Sequence, residues 1–290
     1  MAYKVLITGS EGQLGNALNL KLSNLFQVIP TSKNKSDSNS LITLNIDNPS
    51  KINECMNKYD PDIVINTAAI TDVDYCEVNK SITRKINVEA LKSIVKYTSK
   101  NTKIIQISTD YVYNGKNNFY TEESNPNPIN YYGKTKLEAD NYLLGSNKPY
   151  AIIRPNTIYN CSNKNFFTWV YNNLSNNNAI KVVNDQISNP SYIPSLVNSI
   201  IDIIIMNGLG LYHHGSKDSL SRYEFALRIA KKFEFNNDLI FETNTVNLNQ
   251  IAQRPINSIL NVNKIEKDFD SEMLYIDACI NNAYEILKNG

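Results

Sequence analysis

The stretch Lys4-Val-Leu-Ile-Thr-Gly-Ser-Glu-Gly-Gln-Leu-Gly15 decides the fold. A short apolar run is followed at once by Gly9, Gly12 and Gly15, and then by a helical pattern. Glycines allow a sharp turn and a close approach to a pyrophosphate, and the N-terminal end of the next helix attracts its negative charge. The spacing is GxxGxxG rather than GxGxxG, and a glycine-rich turn is often only a turn. We predict a nucleotide-binding turn after the first strand.

The first half of the chain alternates between strand and helix patterns. Apolar strand candidates lie at 3–8, 26–30, 62–67, 103–108 and 149–153, and helical patterns lie at 13–24, 50–58, 80–99 and 130–145. Strands that are nearly all apolar and alternate with helices are typical of a parallel sheet covered on both faces. We therefore predict an α/β fold with a Rossmann-type doubly wound parallel sheet, with ligands beyond the carboxyl ends of its strands.

After about residue 155 the pattern becomes less regular. Helical patterns lie at 166–174, 193–206 and 220–233, the last with Ser219 or Ser221 as N-cap, and short strands at 181–183 and 239–242. We predict an NAD(P)-binding domain over residues 1–155. Residues 156–290 are predicted to form mainly a smaller α/β substrate lobe, with some segments returning to the first domain.

Composition and charge exclude several classes of protein. The 29 basic residues balance the 28 acidic residues, so neither a nucleic-acid partner nor an anionic membrane surface is expected. The four cysteines lack paired spacing, and His213-His214 has no evident third ligand, so we expect no metal site and no disulfide. With no secretory signal in the sequence, these features predict a cytoplasmic protein.

Tyr132 and Lys136 are the candidate catalytic pair. A spacing of four places both side chains on one helix face. A free tyrosine has a pKa near 10, and a nearby ammonium together with a nicotinamide cation would lower it toward neutrality. Ser108 or Thr109, at the end of an apolar run, would donate a hydrogen bond to a substrate oxygen. A strand-end cap is the alternative for that Ser-Thr pair.

The second strand favours NADPH as the cofactor, with NADH as the alternative. It ends in Thr31-Ser32-Lys33, without the acidic residue that usually holds the ribose 2′-hydroxyl of NAD. Ser32 and Lys33 would hold a 2′-phosphate, unless Lys33 is only a solvated loop lysine. Asp47 is placed to bond the adenine or to cap a helix before Pro49.

Small residues after the third predicted strand favour close contact with a cofactor. Asn66-Thr-Ala-Ala69 leaves room for a ligand against the backbone, although tight helix packing would explain Ala68 and Ala69 equally well. Asn87 is placed to order the backbone near the catalytic residues, or is simply exposed on its helix. The predicted cofactor-binding residues are Gly9, Glu11, Gly12, Gln13, Leu14, Gly15, Ser32, Lys33, Asp47, Ala68, Ala69, Tyr132 and Lys136.

At these residues the chain resembles the extended short-chain dehydrogenase/reductases and, more narrowly, the dTDP-4-dehydrorhamnose reductase family. The resemblance covers nearly the whole length. Its motifs are Gly9-Ser-Glu-Gly-Gln-Leu-Gly15, Asn66-Thr-Ala-Ala-Ile-Thr-Asp-Val-Asp74 with Glu77, Ser108-Thr-Asp-Tyr-Val-Tyr113, Asn130-Tyr-Tyr-Gly-Lys-Thr-Lys-Leu-Glu138, Val183-Asn-Asp-Gln186, Ser221-Arg-Tyr-Glu-Phe-Ala226 and Arg254-Pro-Ile-Asn-Ser-Ile-Leu260.

The resemblance implies an activity and a set of site residues. NAD(P)H would reduce the 4-keto group of a nucleotide-linked 4-keto-6-deoxy sugar, with Thr109, Tyr132 and Lys136 as the catalytic residues. The most direct case is dTDP-4-dehydro-L-rhamnose giving dTDP-L-rhamnose. The predicted substrate contacts are Thr71, Val73, Asp74, Thr109, Tyr111, Tyr132, Asn156, Arg254 and Asn257. A homodimer remains open.

Two departures from the family pattern bear on substrate and assembly. Thr157 stands where related reductases usually carry an aromatic residue near the sugar, and Ala17 occupies the region of a glutamate through which some members dimerise around a metal. We therefore predict no metal-dependent dimer.

Three alternative functions compete with this activity, and two of them stay open. Tyr111 replaces the acid of sugar-nucleotide dehydratases, which argues against dehydration. A related reductase or epimerase acting on another sugar nucleotide stays open. So does a non-catalytic regulatory subunit resembling that of methionine adenosyltransferase.

Overall fold

A computed structural model describes residues 3–34 and 41–289. Its strands are β1 (Lys4–Thr8), β2 (Gln27–Ser32), β3 (Ile42–Thr43), β4 (Ile63–Asn66), β5 (Lys103–Ile107), β6 (Tyr150–Pro155), β7 (Ile158–Tyr159), β8 (Ile180–Val183), β9 (Ile187–Ser188), β10 (Ser191–Tyr192), β11 (Gly210–His214), β12 (Leu220–Ser221) and β13 (Ile240–Thr243). Its α-helices are α1 (Gln13–Leu22), α2 (Pro49–Tyr59), α3 (Val73–Val78), α4 (Lys80–Arg84), α5 (Ala90–Tyr97), α6 (Tyr131–Leu144), α7 (Phe166–Ser175), α8 (Ile193–Ile205), α9 (Arg222–Phe233), α10 (Asn263–Phe269) and α11 (Ile276–Asn289).

Seven of the described strands form one parallel sheet in the order β11-β6-β5-β4-β1-β2-β3. Val5 of β1 lies opposite Val28 of β2 on one side and Ile63 of β4 on the other. The chain therefore builds outward from β1 in one direction and then returns to β4 to build in the other. In such sheets the ligand crevice lies beyond the carboxyl ends of the two strands where the order reverses. The predicted doubly wound α/β fold is confirmed.

Helices cover both faces of the sheet, which explains why its strands are almost wholly apolar. Val5 and Ile7 of β1 face a core that includes residues of α1, α8 and α10. Leu6, between them, faces a second core that includes residues of α2, α5 and α6. Alternate residues of one strand thus enter opposite cores, as the two-residue repeat of a strand requires.

The structure differs from the predicted elements in a few places. Strand β11 was not predicted, because its two histidines make the sequence look polar although both are buried. Strand β3 is only two residues long, and α3 follows β4 without a strong pattern. The helix predicted over 80–99 is interrupted by a π-helical turn at Lys85–Glu89, where Asn87 turns inward.

The later part of the chain contributes to two regions. Strands β8 and β13 pair in parallel, and α7, α9 and α11 pack around them in a separate apolar core. Helix α9 begins after Ser221, whose hydroxyl accepts from the Glu224 amide, so Ser221 is the N-cap. In contrast, α8 and β11 lie with the main sheet. We retain the division near residue 155 as a proposal.

In the two described ranges, no helix combines the length and the apolar character that crossing a membrane requires.

The glycine turn after β1 provides a test of the packing. A methyl group on Gly15 would lie 2.2 Å from the Gly9 carbonyl oxygen and 2.9 Å from Thr67 Oγ1. Because the first obstacle is backbone, Gly15→Ala should lower the free energy of unfolding by about 1–3 kcal/mol in urea denaturation. Gly145→Ala is the matched control, since its methyl group would meet the nearest atom at 3.5 Å. Equal stability of the two variants would contradict this packing.

Candidate active site

Helix α6 carries Tyr132 and Lys136 to the carboxyl end of β5. The helix begins after Asn130, whose side-chain oxygen accepts from the Gly133 amide at 2.8 Å. A methyl group on Gly133 would lie 2.1 Å from the Tyr111 carbonyl oxygen, so glycine here lets the helix rest directly on the segment after β5. Tyr132 is 8% exposed and Lys136 only 3%. The predicted pair therefore lies on one buried helix face.

The two candidate hydroxyl donors after β5 have different surroundings. Ser108 Oγ donates to Asp140 Oδ2 at 2.8 Å, so its proton is already engaged in the interior. Thr109 Oγ1 accepts from the Tyr111 amide at 3.2 Å, donates to Asp110 Oδ1 at 3.1 Å, and lies beside the Tyr132 phenol. Both hydroxyl protons are therefore engaged within the protein, and Thr109 is the better candidate donor to a substrate oxygen because it lies beside Tyr132.

Burial controls the ionisation of the catalytic pair. It raises the pKa of the Tyr132 phenol above its usual value, and the Thr109 hydroxyl acts in the opposite direction. Burial also lowers the pKa of Lys136 to about 8, partly countered by the charge of Asp140. The ammonium of Lys136 donates to the Ile107 carbonyl oxygen at 2.6 Å. The expected lowering of the phenol pKa is not seen among these residues, and the neutral phenol is the form that a proton donor requires.

Asn87 links the loop after β4 to helix α6. Its Oδ1 accepts from the Ile70 amide at 2.8 Å, and its Nδ2 donates to the Ile70 carbonyl at 3.0 Å and to Thr135 Oγ1 at 3.1 Å. The residue is buried within the π-helical turn, a feature often found at functional sites. Of the two readings of Asn87, the structure supports the one in which it orders backbone near Tyr132.

Two adjoining cavities lie at this edge of the sheet. The first, of about 430 Å³, contains the catalytic side chains and is called here the catalytic cavity. The second, of about 900 Å³, extends over the ends of β1 and β2 and is called here the adenine-side cavity. Gly12, Thr67 and Ala69 line both. Together they make an elongated site that crosses the glycine turn.

All the predicted cofactor-binding residues line these two cavities. The catalytic cavity is lined by Gln13, Leu14, Gly15, Tyr132 and Lys136, the adenine-side cavity by Gly9, Glu11, Ser32, Lys33, Asp47 and Ala68, and both by Gly12 and Ala69. The cap of α2 is Asn48, whose side chain accepts from Ser50 and Lys51, so Asp47 is not the N-cap. Ile82 and Ile86 also line the second cavity, but in sequence they could not be told from core residues.

These residues fit a dinucleotide cofactor. Gly9 has a positive φ of 71°, and a methyl group there would lie 3.0 Å from the Ala68 Cα, so the turn and the small residues after β4 meet closely. The adenine-side cavity has apolar walls at Ile46, Ile70, Ile82 and Ile86, which suit a base, and Lys33 at its rim suits a phosphate. The structure also shows a contact that the sequence did not predict. The Glu11 carboxylate accepts a hydrogen bond from Ser32 Oγ.

The predicted substrate residues are distributed between the catalytic cavity and a neighbouring groove, whose lining includes Lys181, Arg222 and Arg254. Thr71, Val73, Thr109, Tyr111, Tyr132 and Asn156 line the catalytic cavity. Arg254 lines the groove, and its Nη1 forms an ion pair with Asp74 at 2.5 Å. Asn257 is not among the residues that line these three spaces, and its amide donates to the Asn118 carbonyl at 3.0 Å.

Arg222 is the main site residue that the sequence did not reveal. It lines both the catalytic cavity and the groove, lies 5.3 Å above the Phe166 ring, and donates from Nε to Gln186 Oε1 at 3.1 Å. With Lys181 and Arg254 it makes three cations along the groove, and no groove-lining residue in the described part of the chain carries a carboxylate. The motif Ser221–Ala226 is recognisable in the sequence, but nothing in it indicates which side chain faces the site.

The two histidines are interior residues. His213 Nε2 lies 2.9 Å from the Tyr113 hydroxyl, and burial lowers the pKa of His213 to about 3 and that of His214 to about 4. Within residues 3–34 and 41–289, no group of three or more His, Cys, Asp or Glu side chains is arranged to hold a metal ion.

Comparison with known proteins extends these observations. The family model described as "RmlD substrate binding domain" matches residues 3–287. The dTDP-4-dehydrorhamnose reductase of Aggregatibacter actinomycetemcomitans is 30% identical, with 92% of this chain and 93% of that protein covered. The spore coat polysaccharide biosynthesis protein SpsK of Bacillus subtilis (strain 168) is 31% identical, with 91% of each covered. The crystal structure of a dTDP-4-dehydrorhamnose reductase from Bacillus anthracis str. Ames in complex with NADP has a TM-score of 0.90, at 27% identity over 98% of this chain and 99% of that one.

Proposed function

The chain belongs to the RmlD substrate binding domain family, and we propose that it is an NADPH-dependent oxidoreductase acting on a nucleotide-linked 4-keto-6-deoxy sugar. The reaction is reduction of the 4-keto group, most directly of dTDP-4-dehydro-L-rhamnose to dTDP-L-rhamnose. The observation that carries the proposal is that the buried side chains of Thr109, Tyr132 and Lys136 line one cavity, which adjoins a dinucleotide-sized site.

The chain's own residues supply binding and proton transfer. NADPH, when bound, supplies the hydride for the ketone. Thr109 donates a hydrogen bond to the substrate oxygen, and Tyr132, held neutral by burial, gives its proton to that oxygen as negative charge develops there. Lys136 provides a fixed positive charge beside them, held by the Ile107 carbonyl. Because all three side chains are buried, bulk water is kept from the reacting atoms.

The groove beside the catalytic cavity supports an anionic substrate. A diphosphate carries negative charge, and Lys181, Arg222 and Arg254 line the groove. The Arg254 charge is partly neutralised by Asp74, whose pKa it lowers. The Arg222 guanidinium, by contrast, has no carboxylate within ion-pair distance in the described residues, so we assign it the larger role in holding the diphosphate.

Several finer points belong to the same proposal. NADH remains the alternative cofactor, supported by Glu11, whose carboxylate beside Ser32 is suited to a ribose hydroxyl and would repel a 2′-phosphate. Thr157 lines the catalytic cavity, so a different sugar remains open. A regulatory subunit is disfavoured by the intact catalytic residues. We also propose a cytoplasmic protein, without nucleic-acid or membrane partners, and leave a homodimer open.

The Tyr132 assignment is tested by removing only its hydroxyl. Tyr132→Phe should lower turnover at least about a hundredfold, the usual scale of acid–base catalysis, while NADPH affinity measured by fluorescence stays within a few-fold. Tyr131→Phe is the matched control, since Tyr131 does not line the catalytic cavity, and it should turn over normally. Near-normal turnover of Tyr132→Phe would remove this residue from the mechanism.

The Lys136 assignment predicts a pH dependence. A lysine is charged below its pKa and neutral above it, so kcat/KM for NADPH should fall as the pH rises through about 8. Lys136→Arg should abolish this fall in whatever activity it retains, because a guanidinium stays charged. A wild-type profile that remains flat through this region would contradict the role of the Lys136 charge.

The Arg222 assignment predicts a change mainly in substrate binding. Arg222→Gln should raise KM for the nucleotide sugar about ten- to a hundredfold, since hydrogen bonds to charged groups contribute about 1.5–3 kcal/mol. NADPH affinity should change much less than KM for the sugar, because Arg222 does not line the adenine-side cavity and meets the cofactor-binding residues only in the catalytic cavity. Lys231→Gln, an exposed cation on the same helix, serves as the control. An unchanged KM in Arg222→Gln would place the diphosphate elsewhere.

A further inference from the structure

Three consecutive residues at the end of β5 contact three successive turns of α6. The Ile107 carbonyl accepts from Lys136 Nζ at 2.6 Å, and Ser108 Oγ donates to Asp140 Oδ2 at 2.8 Å. Thr109 faces the Tyr132 phenol. Because Tyr132, Lys136 and Asp140 are spaced four apart, they form one stripe along α6. Two members of this stripe have a role in the proposed function, and Asp140 has none so far.

Asp140 belongs to a buried ion pair. Its side chain is fully buried, and its Oδ2 accepts from Arg154 Nε at 3.2 Å and Nη2 at 3.1 Å. Its Oδ1 has no hydrogen-bond partner among the described residues. A buried ion pair with an unsatisfied oxygen is a weak source of stability, since apolar residues of similar volume often replace such a pair without loss. The pair therefore invites an explanation other than stability.

We propose that Asp140 is a positioning residue for Lys136. Its carboxylate holds, through Ser108, the strand end that presents the Ile107 carbonyl and Thr109. Its negative charge also favours the ammonium form of Lys136 in a buried setting. The proposal rests on the proposed function, in which a charged Lys136 serves the cofactor and Tyr132.

The titratable groups near Lys136, Tyr132 and the Asp140–Arg154 pair come from four elements. Tyr132 and Asp140 lie on α6 itself, and Arg154 lies on β6. Asp110 and Tyr113 follow β5, and His213 lies on β11. Burial disfavours the charged form of His213, and it raises the pKa of Asp110 to about 6. The negative charge of Asp140 favours the ammonium form of Lys136, whereas burial disfavours that form.

The test compares loss of the charge with loss of the hydrogen bond. Asp140→Asn leaves the buried Arg154 guanidinium without its counter-charge and is expected to fold poorly. The main variant is therefore Asp140→Asn with Arg154→Met, which removes both charges. Ser108→Ala keeps the charges and removes only the link to the strand end. The readout is the titration of Lys136, followed by ¹³Cε chemical shift in lysine-labelled protein, with the resonance assigned from its loss in Lys136→Gln.

The double variant should lower the Lys136 midpoint by a fraction of a unit, because the Asp140 charge that favours the ammonium form is lost while loss of the opposite Arg154 charge offsets part of the shift. Ser108→Ala should leave that midpoint in place and lower kcat more than it changes KM. An unchanged midpoint in the double variant, or an equal shift in Ser108→Ala, would overturn the proposal. The titration needs neither cofactor nor sugar, so it is independent of whether the chain reduces a ketone.

Discussion

The contact between α6 and the segment after β5 is the constraint on which the site depends. Gly133 rests on the Tyr111 carbonyl so closely that a single methyl group would lie 2.1 Å from it. This approach brings the Tyr132 phenol to Thr109 and the Lys136 ammonium to the Ile107 carbonyl. If the helix moved outward by the width of a side chain, both contacts would be lost and the catalytic cavity would open to water.

Burial disfavours the charged forms of both Tyr132 and Lys136, so the neighbours of each group matter. Away from water, the phenol of Tyr132 keeps its proton and the ammonium of Lys136 gives up its proton more easily. Both effects follow from the same low-dielectric surroundings, and each is modified by one neighbour, Thr109 for the tyrosine and Asp140 for the lysine. The fold thus supplies a neutral acid and a nearby cation without any metal-ligand cluster in its described residues.

Much of the fold could be predicted because it depends on local patterns. Apolar runs such as Ile63–Asn66 and Lys103–Ile107 are buried on both faces, so a parallel sheet follows from them directly. Strand β11 could not be predicted in this way, since His213 and His214 look polar and their burial depends on distant partners such as Tyr113. The glycine turn and the Tyr132–Lys136 spacing are local patterns, and the residues predicted from them line the two adjoining cavities. Arg222 and the engagement of Ser108 by Asp140 depend on contacts between residues far apart in sequence, which no local pattern contains.

The most direct test of the central claim is an assay of NADPH oxidation with dTDP-4-dehydro-L-rhamnose, generated in place by the upstream dehydratase and epimerase. The account predicts stoichiometric consumption of NADPH and formation of dTDP-L-rhamnose, both lost in the Tyr132→Phe variant. NADPH binding without consumption, on this substrate and on the corresponding UDP- and GDP-linked ketosugars, would contradict the assignment of a reductase.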